Sequence, residues 1–315
     1  MRAPYECDLH THTNRSDGAD TYEELIEHAV ERGLKVLAIT DHDITPLSAV
    51  ATEDGAVPLK EYGRERGISI IPGIEFSCNT EIEDVHVVGL GCDFSHPGFA
   101  AQEQKTVESK IKGYSLLCEK LTEQGMPVSM EAICTYKGRN ISREEVQKKM
   151  IFEYMADKGY AEDWSKAKLM VKNTPSFQIK REKPEAEDMI RLIKESGGIA
   201  VLAHPYLIEE AACLSGEKGN RTEYIDRLIE AGLDGIEGAY PYNKTSYGGT
   251  LTPKQIEAEI RERYTDRVRF ISGGSDYHGD RKKGMTEAKC RDLGEKGLSY
   301  DEFMKTPLRR LIEEC

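Results

Sequence analysis

Tyr5-Glu6-Cys7-Asp8-Leu9-His10-Thr11-His12-Thr13 opens the chain's first recognisable motif, and Ser16-Asp17-Gly18 follows it at once. Residues 5–9 are predicted to form a short strand. Because alternate side chains of a strand share a face, His10 and His12 are expected to point to the same side. Asp17 lies in a turn-forming context. Three candidate metal ligands therefore leave the carboxyl end of the first predicted strand.

Later segments bring matching residues to the ends of further predicted strands. These segments are Thr40-Asp41-His42-Asp43, Gly73-Ile74-Glu75-Phe76-Ser77, Asp84-Val85-His86, Ala203-His204-Pro205 and Ser275-Asp276-Tyr277-His278. Parallel barrels place their chemistry at the carboxyl ends of the strands. Clusters that mix histidine and carboxylate at such a face are typical of metal sites. The predicted ligands are His10, His12, Asp17, His42, Glu75, His86, His204, Asp276 and His278.

In their residues and order, these motifs resemble those of the polymerase and histidinol phosphatase (PHP) family of metal-dependent phosphoesterases. The nearest branch is that of stand-alone enzymes which act on small substrates and carry a helical insert. The resemblance implies an α/β fold, a distorted (β/α)7-type PHP barrel with a helical insertion domain. We expect residues 1–96 and 184–315 to form the metal-binding barrel. Residues 97–183 are expected to form a helical insert that covers the active site.

The resemblance also implies three divalent metal ions, manganese, iron or zinc, in a trinuclear centre. The first ion would be bound by His10, His12, Glu75 and Asp276, the second by Glu75, His86 and His204, and the third by Asp17, His42 and His278. Glu75 would bridge the first two ions. Some relatives have histidine where Asp17 stands. Aspartate is the harder ligand, which favours Mn²⁺ or Fe²⁺ at the third site.

The expected reaction is hydrolysis of a phosphate ester by a hydroxide that bridges two metal ions. Three divalent ions exceed the charge of three carboxylates and a hydroxide, so a phosphate dianion would neutralise the centre. Glu75, His204 and Asp276 are the predicted catalytic residues, with His204 or Asp276 handling the proton.

The predicted substrate contacts lie in two places. Ser142 and Arg143 precede a helix that the sequence predicts from Ser142 to Lys158, and a helix start with an arginine suits a phosphate. The alternative is that Ser142 only caps the helix and Arg143 is a surface residue. Tyr206 and Tyr277 flank predicted ligands and would line the pocket, unless they simply pack at the barrel mouth.

Composition limits the class of protein. The net charge is −13 over 315 residues, which argues against a surface that binds long duplex nucleic acid. The eight cysteines form no Cys-x-x-Cys pair, which disfavours a thiolate zinc knuckle and fits a reducing cytoplasm. No apolar run approaches the length that spans a membrane, so no membrane association is expected.

Several functions remain open at this point. The preferred one is a phosphatase acting on nucleotide-like substrates such as nucleoside 3′,5′-bisphosphates. The alternatives are a cyclic phosphodiesterase, a 5′-3′ exonuclease on short oligonucleotides and a histidinol phosphate phosphatase. A different class of function is a non-catalytic binding domain that metal stabilises, which an incomplete ligand set would favour.

Overall fold

The computed structural model describes residues 2–78, 85–208, 213–214 and 217–313. The chain forms two compact units, one of Met1–Ala100 with Pro184–Cys315 and the other of Ala101–Lys183. In chain order the strands are β1 (Cys7–Asp8), β2 (Val36–Ile39), β3 (Ala49–Thr52), β4 (Gly55–Pro58), β5 (Ser69–Cys78), β6 (Val85–Leu90), β7 (Ile199–Leu202), β8 (Cys213–Leu214), β9 (Glu217–Lys218), β10 (Gly235–Ala239) and β11 (Phe270–Gly273).

The helices of the first unit cover the barrel and those of the second build the insert, with α3 contributing to both units. They are α1 (Tyr22–Arg32), α2 (Leu59–Glu65), α3 (Pro97–Glu123), α4 (Met130–Thr135), α5 (Lys148–Asp157), α6 (Trp164–Asn173), α7 (Ala186–Glu195), α8 (Arg221–Glu230), α9 (Pro253–Tyr264), α10 (Tyr300–Phe303) and α11 (Arg310–Glu313). No helix among the described residues is both long enough and apolar enough to cross a membrane.

Seven strands form a nearly closed barrel in the order β1-β2-β5-β6-β7-β10-β11. Neighbours are parallel except at β6, which is antiparallel to β5 and to β7. A hydrogen bond of 3.3 Å from Leu9 N to Gly273 O and a parallel bridge between Thr11 and Tyr277 link the two ends of the sheet. The predicted fold class is confirmed. β6 departs from the parallel arrangement because only six residues connect it to β5, too few for the crossover that a parallel pair needs.

The alternation of strand side chains divides the core of this unit. On β2, Val36 and Ala38 belong to one buried cluster, whereas Leu37 and Ile39 belong to another. The first cluster draws residues from six of the seven barrel strands and from Leu9, so it fills the barrel interior. The other clusters lie between the strands and the surrounding helices. This inner layer supports the strand ends that carry the predicted ligands.

The segment after residue 300 closes this core. In the sequence, the pattern from Phe303 to Ile312 predicts a single short helix that packs on the outside, and this prediction is wrong. The segment forms α10 and α11 with Pro307 between them, and Phe303 and Leu308 are fully buried in the cluster that fills the barrel. Proline cannot continue the helix, because it lacks an N–H group. The break lets both side chains reach the interior.

The second unit has its own apolar core, built from α3, α4, α5, α6 and the segments between them. The sequence predicted its helical character and missed α4. It also predicted a helix from Ser142, but α5 begins at Lys148. Ser142 N instead donates to Glu145 Oε2 at 2.8 Å in an isolated turn. The predicted cover over the active site stays a prediction.

Candidate metal centre

Eight of the nine predicted ligands lie towards the carboxyl ends of barrel strands or in the loops that follow, and the ninth, His86, lies near the beginning of β6. His10 and His12 follow β1, His42 follows β2 and His204 follows β7. Glu75 lies within β5 and His86 within β6, while Asp276 and His278 follow β11. Because β6 runs antiparallel to its neighbours, the beginning of that strand reaches the same end of the barrel as the other strand ends. His86 therefore joins the group.

The ligand atoms fall into three groups, each with all its members within 4.8 Å of one another. The groups are His10, His12, Glu75 and Asp276; His42, Glu75 and His86; and His12, Asp17, His42 and His278. The first reproduces the first predicted set. The third contains the third predicted set together with His12. The second differs from its prediction because His42 takes the place of His204.

Glu75 is at the centre of the arrangement and is fully buried. Its Oε2 lies 3.1 Å from His10 Nε2, 3.2 Å from His12 Nε2 and 3.1 Å from His42 Nδ1. Its Oε1 lies 2.8 Å from His86 Nδ1 and 3.1 Å from His204 Nε2. One carboxylate thus faces five imidazoles, which is the geometry expected of a bridging ligand.

Several of these atoms lack the partners that buried polar atoms normally have. They are His10 Nε2, both ring nitrogens of His12, His42 Nδ1, Glu75 Oε2 and His204 Nδ1. The short distances between them do not have hydrogen-bond geometry. Nitrogen and carboxylate donors that converge in this way suit divalent transition metals. The residues therefore fit the metal ions that the family resemblance implies.

Interactions between the charged side chains of the cluster shift several of their pKa values. Burial lowers the pKa of His10, but Glu75, Glu237 and Asp276 outweigh it and raise the pKa well above its usual value. Burial likewise opposes ionisation of Glu75, yet the surrounding histidines hold its pKa well below the usual range. At His86 burial dominates and lowers the pKa. Metal ions would replace the protons in this network.

Asp17 is the most accessible member, with a side chain 58% exposed. Its Oδ1 lies 2.9 Å from His278 Nε2 and 3.9 Å from His42 Nε2. Although the side chain is exposed, the surrounding protein removes part of the hydration of the carboxyl and disfavours its charge. His278, His42 and His12 outweigh this effect and lower the pKa of Asp17. The third set therefore opens towards solvent, where a substrate can approach.

Two buried aspartates hold the ligand loops. Asp8 accepts hydrogen bonds from Ser275 N at 2.9 Å and Ser275 Oγ at 2.5 Å, which fixes the turn before Asp276. Asp41 accepts from Thr13 N at 2.8 Å and Ser16 Oγ at 2.6 Å, which fixes the loop before Asp17. The sequence motifs contain both aspartates, and their contacts assign them to supporting the loops.

Backbone strain is concentrated in the same place. His204 has φ 27° and Asp276 has φ 51°, values that residues other than glycine rarely adopt. Such residues persist where the surrounding structure fixes them, often at functional sites. This backbone conformation directs the side chains of His204 and Asp276 towards the cluster.

Three residues near the cluster were missed from the sequence. Tyr240 Oη donates to Asp276 Oδ2 at 2.8 Å, and an Arg291 N–H donates to the same oxygen at 2.6 Å. The third residue, Glu237, contacts His10 Nδ1 at 3.3 Å. The only sequence signal for Glu237 was a charged residue within the apolar segment Gly235-Ile236-Glu237-Gly238-Ala239. Nothing in the sequence pointed to Arg291.

The predicted substrate residues have other contacts. Tyr206 is 6% exposed, and the Arg221 guanidinium lies 3.9 Å from its ring centroid. Tyr277 Oη donates to Asp20 at 2.9 Å. In the second unit, the Arg143 guanidinium pairs with Glu131. A cavity of about 690 Å³ beside this pair is also lined by Glu119 and Glu123. Their roles in substrate binding remain predictions.

Comparison with known proteins gives the family. The model of the PHP domain matches residues 8–196. A phosphoribosyl 1,2-cyclic phosphate 1,2-diphosphodiesterase from Eggerthella lenta is 30% identical over 283 residues, 86% of this chain and 94% of the relative. A 3′,5′-nucleoside bisphosphate phosphatase from Chromobacterium violaceum is 29% identical over 292 residues, 91% of this chain and 92% of the relative.

The fold has a counterpart among solved structures. A crystal structure from Bifidobacterium adolescentis aligns with a TM-score of 0.68 and 24% identity, covering 98% of both chains. Together with the family match, which covers β2, β5 and β6 and ends before β7, this supports the barrel. The chain therefore belongs to the PHP domain family.

Proposed function

We propose that the chain hydrolyses small phosphate esters at a centre of three metal ions, and that nucleoside 3′,5′-bisphosphates are its preferred substrates. The class of enzyme is that of the metal-dependent phosphoesterases. The observation that carries the proposal is Glu75, whose two buried oxygens face five imidazoles within 3.2 Å. The complete set of donors argues against the alternative of a non-catalytic domain.

The bound metals would supply an activated water and positive charge for the phosphoryl oxygens. Glu75 would be shared between two ions, and Asp17 with His42 and His278 would form the open side of the site. Both oxygens of Asp276 have neighbours, because Oδ2 accepts from Tyr240 and Arg291 while Oδ1 faces His12 Nε2 at 3.1 Å. His204 Nδ1 has no hydrogen-bond partner. Of the two predicted proton carriers, we therefore favour His204.

Replacing the central carboxylate tests the function. Glu75→Gln keeps the shape of the side chain but removes the charge that two metal ions would share. We expect turnover of every phosphate ester in a panel to be lost, and metal content by elemental analysis to fall at two sites, with the protein still soluble. Near-normal activity of the variant on any ester that the wild type cleaves would refute the assignment.

The preference for a second phosphate depends on Arg143. Its side chain is 52% exposed, and a guanidinium has five N–H donors, so the pair with Glu131 leaves donors for a phosphate. Losing one charged hydrogen bond costs about 1.5–3 kcal/mol, or roughly 10- to 150-fold in kcat/KM. We expect Arg143→Ala to show this loss on a nucleoside 3′,5′-bisphosphate and to leave 4-nitrophenyl phosphate unaffected.

Arg139→Ala is the matched control, because Arg139 also lies in the second unit and pairs with a carboxylate, Glu153, at 2.9 Å. The Arg139→Ala variant should leave kcat/KM unchanged for both the nucleoside 3′,5′-bisphosphate and 4-nitrophenyl phosphate. Equal losses on both substrates in Arg143→Ala would mean that Arg143 supports the fold or the metal centre. If neither rate changes, Arg143 is a surface residue, and the cyclic phosphodiesterase becomes the better proposal, since the Eggerthella lenta relative has that kind of activity.

A further inference from the structure

We propose that Glu237 is a positioning residue that fixes the tautomer and orientation of His10 for metal binding, an inference that rests on the metal centre proposed above. Glu237 lies on β10, the one barrel strand from which the nine predicted ligands take no member. Its neighbour Ile236 packs in the outer core, so the alternation turns Glu237 towards the barrel interior. The residue is 2% exposed, and a buried carboxylate needs polar partners.

The partners of Glu237 are two predicted ligands. Oε1 lies 3.3 Å from His10 Nδ1, and Oε2 accepts a hydrogen bond of 2.8 Å from His204 N. A single carboxylate therefore contacts the ring of His10 and the strained backbone at His204. No group of candidate ligand atoms among the described residues includes Glu237, which separates it from the donors themselves.

Gly274 makes the contact sterically feasible. A Cβ atom at this position would lie 2.3 Å from His10 Cβ and 3.0 Å from Glu237 Oε1. Side chains do not tolerate such distances without movement, so His10 and Glu237 can approach each other only because residue 274 is glycine. The short segment that contains Gly274 also carries Asp276. The packing of Gly274 against His10 and Glu237 thus brings together residues of or next to β1, β10 and β11.

The contact has a direct chemical consequence. A neutral imidazole carries one proton, and a carboxylate beside Nδ1 keeps the proton on that nitrogen. His10 Nε2 then presents its lone pair to the cluster, 3.1 Å from Glu75 Oε2 and 3.5 Å from Asp276 Oδ1. Metal-binding histidines commonly donate their second N–H group to a carboxylate, and removing that partner lowers metal affinity about 10- to 100-fold.

Glu237→Gln tests the proposal sharply, because an amide cannot satisfy both contacts. Its carbonyl oxygen must face the His204 N–H donor, so its NH₂ group faces His10 Nδ1 and favours a proton on Nε2. We expect the affinity for Zn²⁺, measured by competition with a chelator, to fall about 10- to 100-fold, with full stoichiometry restored at saturating zinc. Long-range ¹H–¹⁵N spectra of histidine-labelled protein without zinc, recorded at alkaline pH where His10 is neutral, should show the changed tautomer.

Glu295→Gln is the control, since Glu295 is another largely buried carboxylate of the same unit, and its partner is Lys244. It should bind zinc as the wild type does. If Glu237→Gln does not fold, Glu237→Asp serves in the same titration. It keeps the charge but draws the carboxylate back from His10, so we expect a comparable loss.

Two results would overturn the inference while leaving the proposed function intact. Zinc affinity and His10 spectra that match the wild type would show that Glu237 does not act on His10. The loss of one whole equivalent, not restored by saturating zinc, would make Glu237 a ligand instead of a positioning residue. A wild-type protein that binds no zinc, manganese or iron would overturn the proposed function together with this inference.

Discussion

Asp17 makes the third set of predicted metal ligands open to solvent. Its carboxylate lies 2.9 Å from His278 Nε2, and it is the only side chain among the nine predicted ligands that is more than half exposed. The other two predicted members, His42 and His278, are less accessible. An ion held here would have a weaker, more open environment than ions beside Glu75, so it should be the easiest to remove.

Asp17→Ala should therefore lower the metal content by about one equivalent, because removing a ligand weakens coordination of one ion. The remaining equivalents should stay bound, because no group of converging ligand atoms among the described residues contains both Asp17 and Glu75. Elemental analysis after dialysis against metal-free buffer measures the difference. His28→Ala is a suitable comparison, as His28 pairs with Asp20 at 2.9 Å outside the cluster. Wild-type protein that never exceeds two equivalents in metal-replete buffer would contradict a three-metal centre.

At the scale of single elements, the packing of the barrel interior depends on the segment after residue 300, which carries none of the predicted ligands. Leu308 lies between α10 and α11 and is fully buried within the cluster that fills the barrel. Leu308→Ala should lower the free energy of unfolding by about 2–5 kcal/mol, because it leaves a cavity in a packed interior. Denaturant unfolding with metal present measures this loss.

The exposed Leu47 provides the comparison, since its side chain is about one-third accessible. Leu47→Ala should change stability by less than about 1 kcal/mol, as expected away from the core. Equal effects of the two substitutions would show that the C-terminal segment does not fill the barrel.

Elements with strong local signals were the ones predicted correctly. Threonine with glutamate three residues later predicts a capping box. Thr21 and Glu24 form this box at the start of α1, and Gly33 ends the helix with φ 78°. The sequence pattern predicts a strand over Gly235–Ala239 and a helix over Pro253–Tyr264, and β10 and α9 have these bounds. At Ser142 the local pattern was also real, but the turn does not continue into α5. A capping signal specifies a turn, and only packing decides whether a helix follows it.

The candidate site was predictable to the extent that its residues lie in short motifs. The histidines and carboxylates at the strand ends could be found because each motif ends a strand. Arg291 could not be found from the sequence, because it lies in a loop and only the folded barrel brings its side chain to Asp276. Glu237 lies in a buried strand, where a carboxylate becomes informative only once His10 is seen beside it.

At the scale of the whole molecule, metal binding and protonation compete for the same cluster. Burial lowers the pKa of His10 and of His204, but neighbouring carboxylates outweigh it and raise both. Without metal, these ion pairs stabilise the fold fully below about pH 6.5, the ordinary histidine pKa. That contribution disappears as the pH rises through the raised values. With metal, the sign is opposite, because metal requires the neutral imidazole.

The difference in Tm between metal-loaded and chelated protein should therefore increase with pH from about 6 to 8. Thermal unfolding at several pH values, with saturating zinc or with EDTA, measures it. His10→Asn should flatten the dependence, because one of the competing imidazoles is gone. A difference in Tm that stays constant over this range would mean that the cluster does not exchange protons for metal.

The closure of the barrel by Leu9 and Gly273 also has a consequence for synthesis of the chain. The ribosome produces Asp276 and His278 more than 260 residues after His10 and His12. At roughly 5–20 residues per second, the nascent chain waits on the order of tens of seconds for its closing strand. During that time β1 lacks one neighbour, and the first metal set lacks Asp276. A reactive metal centre can therefore be completed only after residues 276 and 278 have been synthesised.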